Sequence, residues 1–113
     1  MNTTINPLTK AAMLNVLNIT HVGLHSGDSG LNGLANELTS INYVRKSCSF
    51  STTSNGARVL ETPIVFSLSG GDSVSYVSYW NGSTFMLSQQ VEMVEFSIPG
   101  EFRLNDTVTA ISI

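Results

Sequence analysis

The hydrophobic positions of this chain follow two different periods, and the change between them falls near residue 19. Up to residue 17, apolar residues recur every three or four positions, which is typical of a helix with one apolar face. After residue 19, apolar and polar residues alternate in short runs, which is the pattern of strands with one face on a core. The pattern therefore predicts one N-terminal α-helix followed by a mainly β domain.

The predicted helix has a clear start signal. Asn6 can serve as N-cap, and Pro7 fits the first helical position, where its missing N–H group would have no intrahelical partner. The apolar stripe of this helix includes Leu8, Ala12 and Val16. We expect residues 1–18 to form an N-terminal arm and helix, and residues 19–113 to form the β domain of a single-domain chain.

Within the β region, alternation predicts which side chains point towards the core. The run "HVGLH" places Val22 and Leu24 inward and His21 and His25 on the opposite face, where we expect the two histidines to be either hydrogen-bonded within the protein or exposed to solvent. In the same way, "YVRKSCSF" predicts that Val44, Cys48 and Phe50 lie inward, with Tyr43, Arg45 and Ser47 outward. The run "PIVFSLS" groups Ile64, Phe66 and Leu68 on one face.

The sequence "NGS" at residues 81–83 is a hairpin signal between two apolar runs. Asn-Gly readily adopts the positive φ angles of a tight two-residue turn, so the strands on either side should be antiparallel. Together with the other runs, this predicts about six or seven short strands. The expected fold is an antiparallel β-sandwich or barrel-like domain with one N-terminal α-helix.

Charge and composition exclude several classes of function. Only 12% of the residues are charged and the net charge is −3, so no basic face is present to bind nucleic acid. There is no apolar run long enough for membrane insertion, and the N-terminus lacks the pattern of a secretory signal. Cys48 is the only cysteine, which excludes an internal disulfide and a cysteine-based metal site.

The stretch "THVGLHSGDSG" at residues 20–30 has the composition of a metal or catalytic site. On a strand, however, His21 and His25 lie about 13 Å apart, which is too far for two imidazoles to share one zinc ion. Asp28 fits the role of a turn residue that accepts nearby backbone N–H groups. We therefore expect no metal and no cofactor here.

Other catalytic patterns are absent or incomplete, so we expect no enzyme. The chain has no Gly-x-Ser-x-Gly elbow, and "SLSGGDS" lacks the lysine and helix of a phosphate-binding loop. Glu92 and Glu95 fall on opposite faces of their predicted strand, so they do not form an acid–base pair.

Three aromatic residues close together in sequence allow two interpretations. Tyr76, Tyr79 and Trp80 suit core or interface packing, which is the commoner use of such side chains. They also suit a platform on which a sugar ring stacks. The second interpretation predicts a carbohydrate- or receptor-binding module.

An ordered set of short motifs resembles a group of small tailed-phage virion proteins. The motifs are "THVGLHSGDSG", "ANE" at residues 35–37, "YVR" at residues 43–45 and "YW" at residues 79–80. In that group, an apolar helix precedes a segment similar to Thr-His-Val-Ser-Leu-His-Thr-Gly-Asp-Pro-Gly. Here Ser29 replaces the proline, and the C-terminal segment matches only as a turn followed by a strand.

The resemblance implies a non-enzymatic bacteriophage structural protein, made in the host bacterial cytoplasm and located in the virion. It would be attached to the tail or tail fibre, or would decorate the capsid, and its partners would be other virion proteins and further copies of itself. The family-motif turn maps onto His25, Gly27, Asp28 and Gly30. We expect the N-terminal residues, including Pro7, Leu8, Ala12 and Val16, to provide the attachment.

Overall fold

The computed structural model describes residues 18–51, 57–104 and 110–112, and the fold is given for these residues. The predicted helix, with Pro7, Leu8, Ala12 and Val16, lies outside them. The strands are β1 (His21–His25), β2 (Lys46–Ser47), β3 (Ala57–Val59), β4 (Ile64–Leu68), β5 (Ser73–Asn81), β6 (Thr84–Glu95), β7 (Gly100–Leu104) and β8 (Ala110–Ser112). The described part of the chain is therefore mainly β, as the alternation predicted.

All the strand pairings in the described residues are antiparallel. The largest sheet has four strands in the order β2-β1-β5-β6, and two further ribbons pair β3 with β8 and β4 with β7. Strand β1 is central in its sheet, with Val22 opposite Tyr79 and Leu24 opposite Val77. In the part of the chain that is described, no helix is long and apolar enough to cross a membrane.

One apolar core lies between the four-stranded sheet and the β4–β7 ribbon. Residues directly opposite each other in antiparallel strands share a face, so Val22, Leu24, Val77 and Tyr79 point the same way. The cluster also receives the inward face of β4, single residues of β5 and β7, and residues of the connecting segments. These further members are Ile19, Phe50, Leu60, Ile64, Phe66, Leu68, Val74 and Leu104. The predicted inward positions of β1 and β4 are confirmed.

The β5–β6 hairpin has the predicted position but a different turn from the one expected. Asn81 pairs with Thr84, so the loop consists of Gly82 and Ser83. Gly82 has φ of 57°, while neither Asn81 nor Ser83 has a positive φ. One positive φ at the first loop position is the pattern of a type II′ turn, in which glycine is favoured there.

The segment before β2 differs from its predicted orientation. Val44 is exposed, whereas Tyr43 and Arg45 are partly buried. Only Lys46 and Ser47 pair as a strand, because the preceding residues leave the plane of the sheet and cross over the second face of β1. The alternation rule fails here, since it holds only while the chain is extended within the sheet. Phe50, by contrast, is buried as expected.

We predict that Gly82→Ala destabilises the protein by about 1 kcal/mol, because an L side chain is strained at positive φ. No heavy atom of another residue lies within 4 Å of a Cβ placed at this position, so the loss would come from the backbone conformation alone. Urea unfolding measures the change, and Ser83→Ala in the same loop is the matched control. Equal stabilities of the two variants would contradict the assigned turn.

Candidate functional site

The second face of β1 and β5 is covered by the chain between residues 26 and 45. This face carries Gly23 and His25 from β1, with Ser78 and Trp80 from β5. His25, Ser78 and Trp80 are buried, so the central strands are buried on both sides. Gly23, His25, Ser78 and Trp80 therefore lie together under a covering loop.

The covering segment is also hydrogen-bonded along the edge of β1. Ser26 N donates to Asn36 O at 2.9 Å, and Leu38 N donates to Leu24 O at 3.1 Å. Between these bonds and the short β2 pairing, Leu24 N donates to the Tyr43 hydroxyl at 3.0 Å. A side-chain oxygen thus replaces a backbone carbonyl in the strand ladder, which satisfies a donor that would otherwise be orphaned.

His25 is fully buried, and both of its ring nitrogens have a partner. Nδ1 lies 2.8 Å from Ala35 O, and Nε2 lies 2.7 Å from Ser78 Oγ. A carbonyl oxygen only accepts, so Nδ1 carries the proton; in the neutral ring, Nε2 then accepts from the Ser78 hydroxyl. His25 lies on the face opposite Val22 and Leu24, as the alternation predicts, and it is hydrogen-bonded and not exposed to solvent because the loop ending at Ala35 covers this face of the sheet.

The Ser78–His25 pair has the spacing of a nucleophile and its base, but its environment is structural. Ser78 is 0% exposed, and its Oγ also accepts a hydrogen bond from Trp80 Nε1 at 2.7 Å. A nucleophile must be able to reach a substrate atom. The pair instead ties β1 to β5 and to the covering loop.

Glu37 and Arg45 form a two-pronged ion pair above this buried layer. Arg45 Nε donates to Glu37 Oε2 and Arg45 Nη2 donates to Glu37 Oε1, both at 2.8 Å. The Tyr43 hydroxyl donates to Glu37 Oε2 at 2.7 Å. A bidentate geometry with an additional donor is the arrangement in which a partly buried pair is well satisfied. Among the described residues, no buried side-chain nitrogen or oxygen lacks a hydrogen-bond partner.

The Arg45 guanidinium also stacks on Trp80. Its central carbon lies 3.5 Å from the ring centroid, and the Phe85 ring meets Trp80 edge to face at 5.3 Å. On the opposite side of the sheet, Tyr79 is buried against Phe50. A shared stacking platform of Tyr76, Tyr79 and Trp80 is therefore wrong, because Tyr79 and Trp80 are buried on opposite faces of β5 and only Tyr76 is partly exposed.

The electrostatics of the pair follow from its contacts. Burial alone would raise the pKa of Glu37, but hydrogen bonds from Arg45 and Tyr43 hold it below its ordinary value of 4.5. The hydrogen bond with Glu37 raises the pKa of Arg45. Burial, reinforced by the carboxylate, raises the pKa of the Tyr43 hydroxyl well above its ordinary range. At neutral pH, the pair is thus ionised and the tyrosine is neutral.

The family-motif turn is a backbone structure. The Asp28 carboxylate accepts from Gly30 N at 2.9 Å, and Asn36 Nδ2 donates to Asp28 O at 3.0 Å. Gly30 has φ of 73°, and a Cβ at Gly27 would lie 3.1 Å from Asn36 Nδ2. Glycine is therefore favoured at position 30 by its positive φ and at position 27 by the closeness of Asn36. Asp28 has the predicted role of a turn residue.

No metal site is evident in the described parts of the chain. They contain no group of three or more histidine, cysteine, aspartate or glutamate side chains that could hold a metal ion. His21 lies at the other end of β1 from His25, and its Nδ1 is 2.8 Å from Thr20 Oγ1. The two histidines belong to separate hydrogen-bond networks.

Sequence reasoning missed the residues that organise this site. Glu37, Tyr43 and Arg45 lie at motif positions, yet nothing in their spacing shows that they contact one another. Ser78 carries no sequence signal, because it is one serine in a serine-rich chain. The usable signal was the order of the motifs, because "ANE", "YVR" and "YW" each place a residue in the network.

Comparison of the chain with protein-family models, with curated protein sequences and with solved structures finds no match.

We predict that Glu37→Gln lowers stability by about 1–3 kcal/mol at neutral pH, because charge-assisted hydrogen bonds are lost. A carboxylate whose folded pKa is lowered stabilises the fold fully above the ordinary value of 4.5, and this contribution is lost as pH falls through the lowered pKa. The difference between wild type and variant should therefore shrink in acid. Urea unfolding at a series of pH values measures it, with Glu92→Gln as an exposed control; a difference independent of pH would contradict the prediction.

We predict that Gly23→Ala costs roughly 1–3 kcal/mol, as overpacking of a filled site does. The added Cβ would lie 2.7 Å from Ser78 Oγ and 3.1 Å from both Glu37 Oε2 and the Tyr43 hydroxyl oxygen. Chemical unfolding of Gly23→Ala, Ser78→Ala and the double variant checks the cause. If the contact with Ser78 matters, the two losses should not add, because Ser78→Ala removes the nearest atom. If the two stability losses simply add, the strain in Gly23→Ala does not come from the contact with Ser78.

Proposed function

We propose that this chain is a non-enzymatic structural protein of a bacteriophage virion, which acts through protein–protein contacts. The observation that carries the proposal is the network of His25, Glu37, Tyr43, Arg45 and Trp80. These residues lie in the motifs of the phage-protein resemblance, and their polar atoms hold the covering loop on the sheet. Motifs that build a scaffold in this way favour a structural role over catalysis.

The surface of the described residues supports a role in assembly. Large apolar side chains are exposed at Leu31, Leu34, Ile41, Val44, Met93, Val94 and Ile98. With few charges, neighbouring copies repel each other little at close range. Strand β6 is twelve residues long and is the last strand of its sheet in the described part of the chain, and a strand in that position can accept a partner strand. We infer homo-oligomers and contacts with other virion proteins from these features.

We also propose how the sheets of the domain are arranged and how the domain is placed in the virion. The four-stranded sheet and the β4–β7 ribbon share one core, which supports a sandwich of antiparallel sheets. In the virion, the β domain would be the exposed body. The N-terminal arm and helix would attach it at the tail, at the tail fibre or on the capsid surface.

The carbohydrate-binding alternative has weaker support. Of the three aromatic residues that would form the stacking surface, Trp80 is 2% exposed and Tyr79 is fully buried. Sugar stacking requires an open ring face, and the Arg45 guanidinium already covers Trp80. The structural role is therefore the better supported proposal.

The attachment hypothesis predicts that deleting residues 1–18 abolishes incorporation into particles and leaves a folded β domain. A gentler full-length variant, Leu8→Ser with Val16→Ser, should reduce incorporation because it interrupts the apolar stripe. Competition between tagged wild type and variant during phage assembly measures incorporation, and cryo-electron microscopy of the particles locates the protein. Circular dichroism confirms folding.

A second pair of substitutions on the β domain, Glu92→Gln with Glu101→Gln, is the matched control and should be incorporated normally. If the truncated chain enters particles as efficiently as wild type, attachment lies in the β domain. If no particle contains the wild-type chain, the virion proposal itself is wrong.

A further inference from the structure

The loop between residues 29 and 36 holds two leucines in solvent on an unusually constrained backbone. Leu31 is 102% exposed and Leu34 is 60% exposed. Three residues of this short loop have positive φ: Gly30 at 73°, Gly33 at 76° and Asn36 at 59°. Glycine adopts such conformations readily and asparagine tolerates them, so these three residues permit the tight path of the loop.

Hydrogen bonds fix the loop at both ends and in its middle. Ala35 N donates to Ser29 O at 3.0 Å, and Leu34 N donates to Asn32 Oδ1 at 3.0 Å. The buried Ser29 hydroxyl donates to Ser88 on β6, and the buried His25 ring holds Ala35 O. A loop bound this tightly presents its leucines in one orientation, as a docking surface does. We call Leu31 and Leu34 the leucine pair.

A series of contacts connects the loop that carries the leucine pair to the start of the described chain. Gly33, between the two leucines, packs on the Phe85 ring so closely that a side chain at this position would have no room. Phe85 packs on Trp80, and Trp80 O accepts from Thr20 N at 2.8 Å. Three direct contacts therefore connect the loop to Thr20, and residues 8–17 end three positions before Thr20 in the sequence.

The N-terminal segment has the chemistry that this surface requires. Residues 8–17 carry apolar residues at helical spacing and a single charge, Lys10. As the predicted helix, these ten residues would extend about 15 Å, which is enough to lie across two neighbouring leucines. A segment tethered beside a surface binds it at high effective concentration, so even a small apolar contact is occupied.

We infer that residues 8–17 of the same chain dock on the leucine pair. The network of His25, Glu37, Tyr43, Arg45 and Trp80 then does more than stabilise the fold. It holds the loop that orients residues 8–17 relative to the β domain. The inference concerns the isolated chain, so it stands or falls separately from the virion proposal.

Trypsin cleavage after Lys10 tests the docking directly in the purified full-length chain. Lys10 is the only lysine or arginine before Arg45, so release of residues 1–10 reports on this segment alone. Mass spectrometry follows the initial rate of release. Leu31→Ser with Leu34→Ser should raise that rate at least about five-fold, because cleavage follows the population of the undocked state.

The matched control is Met93→Ser with Ile98→Ser, which removes two other exposed apolar side chains and should leave the rate unchanged. Thermal unfolding of each variant verifies that the β domain remains folded. If Lys10 is protected from trypsin to the same degree across about a hundred-fold range of protein concentration, docking within one chain is supported. Protection that disappears on dilution assigns the segment to a second copy, and equal rates for wild type and the leucine variant remove the docking site altogether; either result overturns the inference.

Discussion

The Glu37–Arg45 ion pair is the interaction on which the second face of the sheet depends. Arg45 covers the Trp80 ring, and Glu37 positions the Tyr43 hydroxyl that accepts from Leu24 N. Loss of either charge would leave the other partly buried without its counter-charge, and would free the loop that covers His25 and Ser78. Because β1 and β5 are central strands, exposing this face would also weaken the apolar core on their other side.

This arrangement gives the histidine-rich stretch a structural explanation. His25 joins three segments through two hydrogen bonds, and Asp28 shapes a turn that brings the chain back along β1. Both ring nitrogens of His25 are used within the protein, and the Asp28 carboxylate holds the backbone of the turn. The network makes a rigid frame, and the frame leaves apolar side chains on the loop and on β6 for contact with other protein.

Much of the fold followed from periodicity, while most of the site did not. Val22 and Leu24, the β4 face and the 81–83 hairpin were predicted because each depends on neighbours in sequence or on one buried face. The orientation of Val44 and Arg45 was predicted wrongly, whereas His25 lies on its predicted face but is buried there. Alternation assigns one buried face to a strand, and it has no means of showing that a loop will bury the other.

The sequence alone determined the mainly β class, the position of the hairpin and the turn at Asp28, because local backbone preferences and the two-residue period of a strand are properties of adjacent residues. Only the tertiary structure decided what the polar side chains do. His25 meets Ser78 and Arg45 meets Trp80 through strand register and a returning loop, across large separations in sequence. Contacts of that kind arise from the pairing of whole strands and the folding of a loop over them, so residue spacing does not reveal them.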